Sequence, residues 1–399
     1  METLFVFSHL RWDFVFQRPQ QLMSRLARHY RIFFIEEPVA GAQEDAVWQT
    51  SQPLPQLTVL RPQLPAPYPR SPEASSDLSP PSLSNSSSTS FRGLGWHDSV
   101  PLRELLGSLA QRHPRHLAWL YTPMATPLLA ALDPEVVVYD CMDELSAFLY
   151  PPSGLIEQER ALFARADLVF AGGPSLYAAK RRLHRHVYCF PSSVDVAHFR
   201  QALDRNIAHP AYRSLPGPKL GFFGVLDERF DATLVAALAD SEPAWQIVLV
   251  GPVAKIDPAG LPQRPNIHYA GQQSYAALPT FLAGWDLCLL PFALNDATRF
   301  ISPTKSLEYM AAELPVVGTA VPDVVSQHAD VVAIAHTPAE FIEQCRHTLA
   351  MPAALRHQMI RQMRAKLAAT SWDTTADAMR RLLRQFGRTR AGLELGGAG

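Results

Sequence analysis

The chain has 399 residues, 47% hydrophobic and 18% charged, with a formal net charge of −1. Such a length suits two domains rather than one core, and the near-zero charge excludes a molecule built electrostatically for nucleic acid. Four cysteines, at 141, 189, 288 and 345, are too scattered for a zinc ribbon or a redox pair and read as buried thiols in a reducing, cytoplasmic setting.

Leu4–Ser8 reads as a first strand; the start lacks the basic region and cleavage site of a signal peptide. A helix over Arg18–His29 and a strand over Arg31–Glu36 follow, and Leu57–Arg61 is another strand. Residues 62–100 break the pattern with a Pro-rich and then Ser-rich tract, expected to be a flexible insertion. Alternation resumes with a helix at Leu102–Leu109 and strands at His116–Tyr121 and Val136–Tyr139, the latter ending at Asp140. A helix at Gln158–Arg165 precedes strands at Leu168–Ala171 and Val187–Phe190, with a helix after Gly172-Gly173-Pro174-Ser175 between them. Pro210, Pro216 and Pro218 mark a hinge, giving domains over 1–209 and 216–370. Ser371 to Phe386 is a basic amphipathic helix. Strand–helix alternation on both sides of the hinge predicts α/β domains with parallel sheets. No apolar run approaches the roughly 18 residues of a spanning helix, so contact with the inner membrane would be peripheral.

The richest segment is Ile301-Ser302-Pro303-Thr304-Lys305-Ser306-Leu307-Glu308-Tyr309-Met310, followed by Pro315-Val316-Val317. Ser302 suits an N-cap and Pro303 the first helical position. An exposed helix start with Lys305 attracts anions, and Glu308, one turn on, can accept hydrogen bonds from sugar hydroxyls. Phosphate beside ribose is a nucleotide-sugar pattern; a capped surface helix with a Lys–Glu pair accounts equally for the segment taken alone. Upstream, the strand Lys219–Val225 runs through Gly224 into Leu226–Asp231, which places Arg229 in the crevice where open α/β sheets bind ligands, unless it is an ordinary surface ion-pair arginine.

This order of parts resembles the donor half of GT-B glycosyltransferases, in particular the family-four (group 1) superfamily, over roughly 219–325. Gly224, Leu226 and Arg229 match its glycine–x–leucine turn and basic residue, while Val225 stands where arginine is usual. Glu308 matches the second of two glutamates eight apart; Phe300 occupies the first position, and Glu313 stands where glycine is usual. Ser-Pro-Thr-Lys before the glutamate, with Phe7–Asp13, Arg18–Leu22 and Tyr139–Glu144, is similar to a bacterial subgroup tied to surface polysaccharides. The resemblance implies two Rossmann-like domains facing a cleft, with 371–387 crossing back to the first. It also implies a hexosyltransferase with a nucleotide-sugar donor, a saccharide or lipid-linked acceptor, retention of configuration and no metal or cofactor. Gly224, Arg229, Ser302, Thr304, Lys305 and Glu308 would bind the donor.

On the acceptor side, His9, Arg11, Trp12 and Arg18 lie in or beside the loop after the first strand, where basic and aromatic residues suit a phosphate-bearing or lipid-linked acceptor, or simply pack. Asp140 and Asp143 end an apolar strand on the same side; either could be the general base, with His9 as orienter. A turn cap and an arginine pair are the plainer roles for the two aspartates. Gly172–Ser175 could cradle a phosphate, and the basic run Lys180–His186 could meet anionic lipid or be a solvated face. A nucleotide-sugar epimerase and a non-catalytic binding protein are the competing functions; a dinucleotide oxidoreductase fits less well, since no G-x-G-x-x-G follows any strand.

Overall fold

The computed structural model describes residues 1–65, 95–96 and 98–396. The first sheet is built from β1 (Thr3–Ser8), β2 (Arg31–Glu36), β3 (Val39–Ala40), β4 (Val47–Leu54), β5 (Leu57–Leu64), β6 (His116–Leu120), β7 (Val137–Cys141), β8 (Leu168–Ala171) and β9 (Val187–Cys189). Its order is β3-β5-β2-β1-β6-β7-β8-β9, all parallel, with β4 antiparallel on β5. Strands β1, β6, β7 and β8 are buried throughout, as continuous apolar runs in a doubly covered parallel sheet should be. Strand β4 escaped the sequence reading because VWQTSQPL is polar and mostly exposed, an edge strand with no core face to impose a period. The insertion expected over 62–100 is corrected at its edges. Pro62–Leu64 completes β5, where Leu60 and Leu64 are buried, and Val100 opens the next helix; residues 66–94 and 97 lie outside the described residues.

Helices α1 (Arg18–Leu26), α2 (Val100–Arg112), α3 (Leu155–Arg165) and α4 (Pro174–Lys180) cover this sheet. In α2, Ser99 Oγ accepts from the Leu102 N–H at 3.4 Å, and Leu102, Leu106 and Leu109 form the buried stripe. Short helices α5 (Val196–Arg200) and α6 (Pro210–Arg213) lead to the second sheet, β10 (Lys219–Phe223), β11 (Gln246–Val250), β12 (Ile267–Gly271), β13 (Leu287–Leu290), β14 (Val316–Thr319) and β15 (Val332–Ala335). Its order is β12-β11-β10-β13-β14-β15, again parallel. Helices α7 (Ala232–Ser241), α8 (Leu278–Leu282), α9 (Lys305–Ala311), α10 (Pro322–His328) and α11 (Pro338–Leu349) flank it, followed by α12 (Ala353–Ala368) and α13 (Trp372–Gly396).

The α13 helix returns to the first sheet: Trp372, Met379 and Leu383 are buried in one cluster with Leu22, Met23 and Leu26 of α1. Asp373 receives Arg25 at 3.0 Å and Arg28 at 2.9 Å. Helix α9 ends in a Schellman turn, with Glu313 N–H on Met310 O and Leu314 N–H on Tyr309 O. Glu313 is left-handed there, φ 55°, and its carboxylate is held by Arg364 at 2.7 Å. The position calls for the backbone that glycine adopts most readily.

Candidate active site

Segments that follow strands of both sheets meet, Phe148 against Arg229 and Lys255 and Gln21 against Tyr275, beside a crevice lined by Phe190, Ser192, Ser302 and Leu307. On the second-sheet side, the Phe223 N–H donates to Tyr309 Oη at 3.2 Å and fixes the end of β10. Gly224 follows at φ 152°, and a Cβ there would lie 2.8 Å from Lys305 Nζ. Gly251, after β11, has φ 142° and abuts the Gly224 carbonyl. The two glycines are therefore required by close approach: the Lys305 side chain crosses Gly224 and fills the space that sequence reasoning left for a ligand. Beyond the turn, Leu226 N–H bonds Pro252 O at 2.9 Å, and Asp227 grips Arg229 through Nε at 3.0 Å and Nη2 at 2.6 Å. The Arg229 guanidinium lies 5.1 Å from the centre of the Phe148 ring, and Lys255 Nζ lies 4.8 Å from the same ring.

Helix α9 begins two residues later than expected. Thr304 is its N-cap residue, with helical φ and ψ and no side-chain cap bond, so the capping role of Ser302 is corrected. Ser302 instead accepts from Gln327 at 3.4 Å and packs against Gly173. Burial lowers the Lys305 ammonium, Glu308 opposes that, and the charge of Arg229 adds to the lowering. Glu308 is buried in α9, and burial pushes its carboxyl up to about 7 against the pull of Lys305. The Tyr275 hydroxyl, raised by burial and then by the charge of Glu308, accepts from Gln21 at 3.0 Å. Phe300, where the resemblance places the first glutamate, packs against the apolar cluster of the first sheet and carries Arg299 5.2 Å from its ring.

On the first-sheet side, His9 follows β1 with a buried Nδ1 that has no partner. Burial, then the charge of Lys255, lowers it to about 4, so the imidazole is neutral at neutral pH. Asp143, two residues past β7, is half-buried; burial raises it, Arg229 pulls it down, and Asp227 raises it again. The structure therefore brings Asp143, Arg229 and Lys305 into one electrostatic cluster.

Four residues expected on the acceptor side have other work. Asp140 lies within β7, fully buried, and is held by Arg18 Nη2 at 2.8 Å and Nε at 3.1 Å; Arg18 Nη1 also reaches Phe190 O at 2.7 Å. Asp140 as general base and Arg18 as acceptor ligand are both corrected, because each neutralises the other away from solvent. Arg11 bonds Glu36 Oε2 at 3.2 Å and Glu37 O at 2.6 Å. The Trp12 N–H bonds Glu36 Oε1 at 2.7 Å, and its ring stands edge-on to Phe34 at 5.1 Å. These two tie their loop to the end of β2. The phosphate cradle at Gly172–Ser175 is also corrected: Asp323 Oδ1 accepts the Ser175 N–H at 3.1 Å. Lys180 is buried between Glu144 and Glu159, both at 2.8 Å, so the basic run is not one solvated or lipid-facing surface. Sequence reasoning missed Phe148, Asp227, Lys255 and Tyr275. Only Asp227, two residues before Arg229 in the same turn, left a readable signal.

Comparison with known proteins bears on the fold and on the second-sheet segment. Residues 217–351 match the family model described as glycosyl transferases group 1. Over 301 residues the chain is 25% identical to the putative teichuronic acid biosynthesis glycosyltransferase TuaH of Bacillus subtilis (strain 168), covering 69% of this chain and 74% of that one. Sucrose-phosphate synthase from Thermosynechococcus elongatus superposes with TM-score 0.67 at 15% identity, covering 98% of this chain and all of the other. Anabaena Alr3699/HepE in complex with UDP superposes with TM-score 0.62 at 14% identity, covering 96% and 100%. With a segment over 217–351 similar to glycosyl transferases group 1, mounted on a frame shared with these solved structures, the chain has the GT-B fold.

Proposed function

We propose that the protein transfers a sugar from a nucleoside-diphosphate donor to a saccharide or lipid-linked acceptor in the synthesis of a surface polysaccharide, with retention of configuration and without a metal. The observation that carries this is Lys305 laid across Gly224 beside Arg229, two cations in one crevice with Glu308 buried one turn behind. Lys305 and Arg229 would take the diphosphate, Gly224 would leave room for the Lys305 side chain to cross the backbone toward it, and Ser302 and Thr304 would border the sugar. Glu308 would hold the ribose hydroxyls. UDP in the HepE structure and the teichuronic acid role in the TuaH name support the donor type and the pathway.

In the reaction, the acceptor hydroxyl oxygen bonds to the anomeric carbon on the same face from which the phosphate oxygen departs, as the bond from that carbon to the phosphate oxygen breaks, so that configuration is retained. The electron pair leaves with the nucleoside diphosphate, and Lys305 and Arg229 stabilise its growing charge, an effect worth several kcal/mol in such sites. The hydroxyl proton passes toward Asp143, with neutral His9 orienting the acceptor. An epimerase would interconvert donors without any acceptor, and a binding protein would do neither. Incubation of the full chain with UDP- and GDP-sugars in EDTA tests the reading: hydrolysis or transfer that disappears in Lys305→Ala supports it. Equal turnover in wild type and Lys305→Ala overturns it.

A further inference from the structure

The contact around Phe148 joins the two halves of the molecule at the proposed diphosphate site. Phe148 follows Asp143 by five residues and offers one ring to two cations, Arg229 at 5.1 Å and Lys255 at 4.8 Å. The next residue, Leu149, donates its N–H to Glu228 Oε1 at 3.0 Å, and Lys255 Nζ stands 3.8 Å from that same oxygen. Glu228 Oε2 is buried with no partner. Two non-glycine residues bound this contact in left-handed backbone: Tyr150, φ 56° and 80% exposed, and Lys255, φ 61°. Strain of this sort persists where the surroundings hold it, and it gathers at ligand clamps and switches.

Two like charges sharing one ring repel each other, and a ring face is a weaker partner for a cation than a phosphate oxygen. A nucleoside diphosphate entering beside Arg229 and Lys305 would therefore draw Lys255 off the ring and compete with the ring for the Arg229 guanidinium, one edge of which Asp227 holds. We propose that Lys255 is a third diphosphate-binding cation, and that Phe148 is a positioning residue that holds Lys255 and Arg229 in the crevice until the donor displaces it. This rests on the donor reading given above. The ring acts as a placeholder: it competes with the ligand for both cations and keeps them over the crevice.

The sign of the effect separates this role from packing. Titration calorimetry of the full chain with UDP, GDP and inorganic pyrophosphate in EDTA reads it directly. Phe148→Leu keeps an apolar side chain but removes the ring face, and should tighten binding threefold or more. Lys255→Ala should weaken binding tenfold or more and flatten its dependence on salt, since one phosphate contact is gone. In the double variant the gain from Phe148→Leu should shrink, because half of the competition has been removed. Unchanged or weaker binding in Phe148→Leu overturns the proposal, with or without a lowered Tm, as does unchanged binding in Lys255→Ala. If Lys305→Ala weakens binding while these two variants match wild type, only this inference falls. If none of the three anions binds the wild-type chain, the donor reading falls with it.

Discussion

Replacing Arg18 by Met would leave the Asp140 carboxylate inside the first sheet without its partner. Arg18 is 4% exposed and Asp140 0%, and three guanidinium contacts of 2.8, 3.1 and 3.2 Å join them. Removing one member of such a pair typically costs about 3–5 kcal/mol, because the remaining charge is uncompensated. The bond from Arg18 Nη1 to Phe190 O is lost as well, leaving that carbonyl short of a charged donor, a further cost of about 1–3 kcal/mol if water does not replace it. Several kcal/mol is a large share of the stability of an ordinary domain. Thermal and urea unfolding of Arg18→Met should thus show a clear loss, while the folded protein keeps its UDP affinity. The double variant Arg18→Met/Asp140→Leu should recover much of the loss, since apolar replacement of a buried pair is often neutral or stabilising. A wild-type Tm in Arg18→Met together with a raised acceptor KM would refute this reasoning and return Arg18 to the acceptor site.

Other outcomes follow from the same geometry. Glu308→Ala should raise the UDP dissociation constant roughly tenfold or more, as expected from losing a charge-assisted hydrogen bond of ~1.5–3 kcal/mol; unaltered affinity removes Glu308 from the ribose. Glu308 titrates at about 7 in the fold against an ordinary 4.5, so the unfolded chain gives up this proton first. Stability should therefore fall between roughly pH 4.5 and 7, and Glu308→Gln should flatten that slope in unfolding measured across the range. Asp143→Asn should cut transfer by a factor of about 100 or more, within the usual range for a general base, with UDP affinity little changed; near-normal turnover assigns Asp143 to the cation cluster alone. Activity should persist in EDTA, and its loss there with recovery on adding a divalent cation would overturn metal-free transfer.

Much of the fold was legible because short, bounded, β-branched and aromatic apolar runs such as Leu4-Phe5-Val6-Phe7 and Leu168-Val169-Phe170-Ala171 read as buried strands, and the amphipathic segments between them as helices. The segment from Gly224 to Glu308 was legible for a related reason: turn glycines, a lysine and a carboxylate leave a local pattern. Residues whose roles depend on partners far along the chain were not. Asp140 and Arg18 look like two cleft residues until the fold brings them together across 122 positions. Ser302 looks like a helix cap until Gln327 and Gly173 claim its surroundings. Phe148 and Lys255 have no distinguishing neighbours in sequence, and only the meeting of the two sheets places one ring under two cations. Sequence determines where hydrophobic burial drives strands and helices, because that force acts through local periodicity. Which charges are neutralised inside and which remain for a ligand is decided by tertiary structure, since electrostatic pairing depends on distance in space and on exclusion of water.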